Sequence, residues 1–281
     1  MIKIVTDSTA DLLSVEGIPF ASVPLQIVTA EREFTDDATL DTAEMLRYLK
    51  QYKGKSGSSC PNLQSWLDAF GDAEEIFCVT ITSGLSGSFS SAESAAAEYT
   101  AQHPERRVSV IDSLSTGPEN ALIILELKRL IDTGLPFAEV DREIRLYQRS
   151  THLIFALESL HNLASNGRVS PLVAKVAGFL GIRIIGKASN AGILEITNRS
   201  PGAARALSDV IANMKANGYR GGRVRIHHAD NLRAAGRLAE LIKASFSDAE
   251  PIVSEARGLC SFYAESGGLL IGFEGKDKFS E

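Results

Sequence analysis

The sequence predicts a mixed α/β protein of two domains: an amino-terminal domain on a parallel sheet and a carboxy-terminal α/β domain whose sheet is largely antiparallel. Three observations lead there. The first half alternates short apolar runs with helical patterns, as parallel strands joined by right-handed crossovers do. The strands of the second half alternate apolar and polar residues more strongly, which suits an antiparallel sheet with one open face. At 281 residues the chain exceeds the size at which a single core usually stops growing. The boundary falls in the region of residues 150 to 165, and drawing it after 158 gives domains 1–158 and 159–281.

In the first half, Ile2 to Thr6 reads as a buried strand, followed by Asp7, Ser8 and Thr9, all good helix-capping types. An extended run spans Ile18 to Val28, and a helix starts near Asp41. Ile76 to Thr82, rich in β-branched residues, predicts a central strand, with an alanine-rich helix from Ser90 to Ala101 after it. Val108 to Asp112 is another strand, and the helix behind it ends at Gly134 in the manner of a C′ glycine. Phe137, Val140, Ile144 and Tyr147 recur at helical spacing, with Asp141 and Arg145 paired at i, i+4.

In the second half, "HLIFALES" reads as a strand, "LASNGRVSP" as a polar loop and "LVAKVAGFLG" as a short apolar helix. "RIIGKA" and "GILEIT" flank "SNAG" as a hairpin. Two amphipathic helices, "ARALSDVIANMKANG" and "NLRAAGRLAELIKASF", accompany the strands "RVRIHH" and "PIVSEA".

Composition excludes several classes. Hydrophobic residues at 44% and charged ones at 23% are ordinary for a folded protein. A net charge of -6 argues against a general nucleic-acid binder, which needs a basic face. The three cysteines, Cys60, Cys78 and Cys260, form no CxxC pair, so neither zinc nor a redox motif is expected and a reducing cytoplasm fits. The start "MIKIVTDSTADL" has no apolar stretch of the signal-peptide kind, and no run approaches the roughly 18 residues that span a bilayer.

Candidate chemistry lies where the strands end, since ligands of open α/β sheets bind outside the carboxyl ends of the strands. Thr6 with Asp7, Thr82 with Ser83, and Asp112 with Ser113 are placed there. "TSGLSGS" is the richest: Thr82, Ser83, Ser86 and Ser88 can donate, while Gly84 and Gly87 let backbone amides approach an oxyanion at a helix start. The same residues also suit a capped helix packed tightly on its strand. A P-loop is excluded because "GKS" at 54 to 56 has Leu49 where the first glycine belongs, and GxSxG fails because the glycine of "GLSGS" comes one position early. No GxGxxG follows any strand, and no histidine among the five completes a triad with Ser83 or Ser86. His227 and His228, with Asp230, could hold one edge of a metal site, but no second ligand cluster completes it; neither metal nor cofactor is expected. A second hydroxyl cluster, "KGKSGSSCPN" from Lys53 to Asn62, reads alone as a flexible loop and, paired with the first, as a second wall around an anion.

Taken in order, "KIVTDSTADL", "SSCP", "TSGLSGSFSSA", "VIDSLS", "NGRVS" and "HADN" resemble the DegV family of bacterial fatty-acid-binding proteins, the acyl-carrying subunits of fatty-acid kinase. The resemblance runs nearly the length of the chain. It implies a non-enzymatic carrier holding a long-chain fatty acid between two domains and presenting it to a separate kinase subunit. It places Ser58 and Ser86 at the carboxylate, with Thr82 and Ser83 in support, and relates Arg199 to kinase docking. Tyr263, in "SFYAESG", stands where the family carries a histidine; its phenol can donate a hydrogen bond but is no proton shuttle near neutral pH. The proline that the family has near Arg183 is also absent.

A carboxylate is well satisfied by neutral donors, so no lysine or arginine is required in such a pocket. The apolar face of "PLVAKVAGFLG", with Leu172, Val173, Val176, Phe179 and Leu180, is the expected tail wall. Two other readings stay open: a serine-dependent hydrolase or acyl transferase using Ser86, and a small phosphometabolite binder.

Overall fold

The computed structural model describes residues 1–170 and 181–279. The first half runs β1 (Ile2–Asp7), a 3-10 turn (Ser8–Ala10), β2 (Phe20–Val23), β3 (Gln26–Thr29), β4 (Glu33–Thr35), α1 (Thr42–Gln51), β5 (Ser56–Ser59), α2 (Leu63–Phe70), β6 (Glu75–Thr80), α3 (Ser88–Gln102), β7 (Arg107–Asp112), α4 (Pro118–Asp132) and α5 (Phe137–Gln148). The second runs β8 (Thr151–Leu157), α6 (His161–Ser165), β9 (Ile182–Ala188), β10 (Leu194–Pro201), α7 (Ala203–Ala216), β11 (Gly222–His228), α8 (Leu232–Ser245), β12 (Ala249–Glu255), α9 (Gly258–Ala264) and β13 (Leu269–Glu274).

The first sheet is parallel throughout, in the order β2-β1-β6-β7. Its strands are short apolar runs because helices cover both faces: α4 and α5 close one core with Ile4, Phe77 and Ile111, and α2 and α3 close the other with Val5, Ile76 and Cys78. Chain order reverses between β1 and β6, so the crevice at their carboxyl ends is the switch point where such sheets bind ligands. Capping follows the sequence: Asp41 accepts the Glu44 amide, Asn62 accepts the Ser65 amide, and Gly134 takes φ +75° just beyond α4.

The second sheet has the order β10-β9-β8-β13-β11-β12 and is antiparallel except for β11 and β12, which pair in parallel across α8. Side-chain alternation splits it. Ile154, Ala156, Ile185, Val224, Ile226 and Ile271 pack under α7 and α8, whereas Leu153, Phe155, Leu157, Ile184 and Leu270 face the other way. That other face is not open as the alternation suggested, because α4 lies over part of it and Cys260 and Ala264 of α9 join its apolar cluster. Helix α4 lies between the two sheets: Ile123, Ile124 and Leu127 enter the first core, while β13 has Gly272 against the Pro118 backbone.

Several expectations are corrected. The run from Ile18 to Val28 breaks at Pro24, sending β2 into the first sheet and β3 into a small antiparallel sheet, β4-β3-β5. Part of the Lys53–Asn62 cluster is strand β5, held by main-chain pairing to β3, and "LASNGRVSP" begins inside α6. β8 sits in the second sheet, so the sheets divide before Thr151 and not after residue 158. The expected apolar helix with Leu172, Val173, Val176, Phe179 and Leu180 lies outside the described residues.

Candidate functional site

Asp7, at the carboxyl end of β1, organises the switch point. One carboxylate oxygen accepts from the Thr9 amide and hydroxyl at 3.2 and 2.6 Å; the other accepts from the Ile81 amide at 2.9 Å and the Ser88 hydroxyl at 2.6 Å. The side chain is fully buried, and burial pushes its carboxyl up against the opposing pull of these four hydrogen bonds. Asp7 thus ties the first residues of α3 to β1 and fixes the hydroxyl-rich loop between them. Within that loop the Ser86 hydroxyl accepts the Ser88 amide at 3.2 Å.

The second hydroxyl cluster closes against the first. Ser91 of α3 donates to the Pro61 carbonyl at 2.9 Å, and the Cys60 sulfur stands beside Gly87. This brings Ser58 of β5 and Ser86 to the wall of one pocket between the halves of the chain. Its atom-free space, open mouth included, is about 660 Å³. Leu153, Phe155 and Leu157 of β8, with Leu270 of β13, form its floor; Leu25, Ile81, Leu85, Leu163, Leu194 and Leu259 complete its apolar lining.

The polar groups gather at one place. The Ser58 hydroxyl lies 2.8 Å from the Tyr263 phenol, and the Arg168 guanidinium sits 5.7 Å from the Tyr263 ring centroid. Arg168 is oriented by the Leu85 carbonyl, which accepts from its Nε at 3.2 Å, and by the Asn166 carbonyl. Elsewhere on the wall, the Thr116 hydroxyl and the Cys260 thiol are 3.8 Å apart. Burial pushes the Cys260 thiol well up, so it lines the wall as a neutral group.

Of the residues expected at the site, Ser58, Ser86 and Tyr263 are together on the pocket wall. Thr82 is not among the lining residues: fully buried, it donates to the Gly192 carbonyl at 3.0 Å and accepts the Gly84 amide, latching the loop to the β9–β10 hairpin. Ser83 is exposed and its amide donates to Asp112. Arg199 is exposed on β10, the edge strand of the second sheet, away from the pocket. Leu172, Val176, Phe179 and Leu180 remain outside the described residues.

Arg168 was missed by the expectation that no cation is needed; its only signal was a single arginine inside "NGRVS". The chemistry of an activated serine is not assembled, since no histidine and no carboxylate is among the described lining residues. His227, which with His228 and Asp230 could have held one edge of a metal site, is instead buried 2.7 Å from Asp11, whose other oxygen accepts the Arg257 amide at 2.9 Å. Among the described residues no cluster of ligands could hold a metal ion.

A model of the DegV family, described as uncharacterised proteins, matches residues 1–275. The chain belongs to the DegV family. A DegV domain-containing protein of Streptococcus pyogenes serotype M3 is 44% identical over 276 residues, 97% of this chain and 99% of its own. Among solved structures, a DegV family protein from Eubacterium eligens loaded with heptadecanoic acid is 44% identical, with TM-score 0.96 over 98% of this chain and 100% of that one. The Streptococcus pneumoniae Fatty Acid Kinase (Fak) B3 protein loaded with linoleic acid is 40% identical, with TM-score 0.95 over 98% and 99%. The two-domain DegV fold is therefore shared from end to end. The departure at Tyr263 keeps a hydrogen-bonding group on the pocket wall, tied to Ser58.

Proposed function

We propose that this DegV chain is a fatty-acid carrier that holds a long-chain fatty acid in the pocket between its halves and presents the carboxylate to a separate kinase subunit for acyl-phosphate formation. One observation carries the reading: an otherwise apolar pocket gathers Ser58, Tyr263, Ser86 and Arg168 on its wall. Hydroxyl donors and a guanidinium suit a carboxylate through charge-assisted hydrogen bonds. Each methylene buried against the leucine-rich walls adds about 0.8 kcal/mol, so a tail supplies most of the affinity. The loaded relatives from Eubacterium eligens and Streptococcus pneumoniae support the same ligand class, and the latter's name supports the kinase partner.

In this reading the chain contributes no catalytic residue and needs no cofactor. Arg199, exposed on the edge strand β10, is the docking residue for the kinase. The three free cysteines fit a reducing cytoplasm as the working compartment. Among the described residues no helix is long and apolar enough to cross a membrane. A phosphometabolite would leave the leucine walls without a partner, and a hydrolase would need a base beside Ser86.

Native mass spectrometry of the purified protein, followed by organic extraction, tests the reading. Co-purifying fatty acid is the expected result. A ligand-free preparation that also refuses added fatty acid overturns it, and a bound phosphate ester of low mass would replace it with the metabolite reading.

A further inference from the structure

A row of paired residues crosses the pocket-facing side of the second sheet: His227, Leu270, Phe155 and Gly186. The last two are direct cross-strand partners on β8 and β9. Gly186 is not among the glycines with positive φ, so its backbone is open to other residues and only space requires glycine. A Cβ built on it would lie 2.1 Å from Phe155 Cζ and 2.4 Å from the Glu195 carbonyl oxygen. The ring of Phe155 therefore fills the volume that a side chain on β9 would take. Its Cζ and Cε2 reach over the backbone of Gly186 on the neighbouring strand. Glycine inside a strand weakens the strand, and an aromatic ring laid over it restores part of the lost packing. Phe155 is at once sheet packing and pocket floor.

We propose that the Phe155–Gly186 pair is the specificity determinant of the acyl tail: glycine lets the ring lie flat, and the height of the ring sets how long and how bulky a chain the pocket accepts. The inference rests on the fatty-acid reading. Any side chain at 186 would raise the ring into the lumen at the cost of the last tail methylenes.

The test is a series of saturated acids from decanoic to eicosanoic acid, titrated into delipidated full-length protein by calorimetry. Gly186→Ala is expected to lose about tenfold in affinity for the longest acid the parent binds, the equivalent of roughly two displaced methylenes, while the shortest acid changes within about twofold. Adding Phe155→Ala to that variant is expected to restore long-chain binding, because the ring is then gone. The carbonyl of Glu195 also crowds position 186 and could stop Gly186→Ala from folding. Phe155→Leu, with glycine in place, therefore carries the test independently, and is expected to raise the long-to-short affinity ratio. An unchanged ratio in Phe155→Leu, equal losses at every length in Gly186→Ala, or no rescue in the double variant overturns the inference and leaves the carrier reading standing. A parent protein that binds no fatty acid of any length overturns both.

Discussion

Asp36 offers a quantitative test of how α9 is held. Its two carboxylate oxygens accept the Gly258 and Leu259 amides at 2.8 and 2.9 Å, so the residue after β4 anchors the helix that carries Leu259, Cys260 and Tyr263 to the pocket. Burial, with the nearby Asp11 charge adding to it, raises the Asp36 carboxyl from 3.8 to about 6 despite those hydrogen bonds. The folded state thus binds this proton more tightly than the unfolded chain does. The contribution is fully present below about pH 4 and is lost as pH rises through about 6. At about 1.4 kcal/mol per unit, ionising Asp36 costs the fold up to about 3 kcal/mol at neutral pH. Asp36→Asn loses part of the amide anchoring at every pH but escapes the ionisation. The stability of the variant minus that of the parent should therefore rise by about 2 to 3 kcal/mol between pH 4 and pH 7. Urea denaturation at half-unit pH intervals reads this difference directly, and titrating groups not coupled to Asp36 cancel in it. A difference that stays flat from pH 4 to pH 7 refutes the assignment.

Three further outcomes are expected. Arg168→Gln should weaken fatty-acid binding by about tenfold or more, as removal of a charged donor does, with an unchanged unfolding midpoint for the ligand-free protein. Ser86→Ala should weaken binding measured by the same titration while leaving background hydrolysis of activated esters unchanged; an esterase activity lost in this variant would favour the hydrolase reading. Asp7→Ala leaves the Thr9 and Ile81 amides and the Ser88 hydroxyl without their buried acceptor, and should destabilise the fold by about 3 kcal/mol or more in chemical denaturation.

The parallel sheet was legible because its strands are continuous apolar runs with helices between them, and the hydroxyl loop because so many donors stand at one strand end. Motif order over the whole chain singled out Ser58, Ser86 and Tyr263, which the fold brings to one pocket, and spacing alone could not have joined residues 205 positions apart. What stayed hidden depends on tertiary neighbours. "SGSS" has no strand pattern, and β5 exists because β3 offers its backbone a partner. β13, a short run from Leu269 to Glu274, was not read as a strand, yet it lies between β8 and β11 in the second sheet. Thr82 looked like a ligand donor because composition does not tell which way a hydroxyl turns; the close approach of Gly192 decides that. His227 and Asp11, 216 positions apart, met only on folding.

Helix α4 gives the molecule its mechanical character. Its apolar side is part of the first core, while its acids hold the second half: Glu119 accepts from Thr151 and from Lys278 near the carboxyl end, and Glu126 accepts from Arg223 of β11. Swinging the two halves apart about a hinge would strip this helix from one partner or the other, uncovering either leucine and isoleucine side chains or buried ion pairs. The cleft is thus built less like a jaw than like a sleeve whose two sides share a seam. In the carrier reading proposed above, a tail would thread into such a sleeve along its length and leave its head group within reach of another protein.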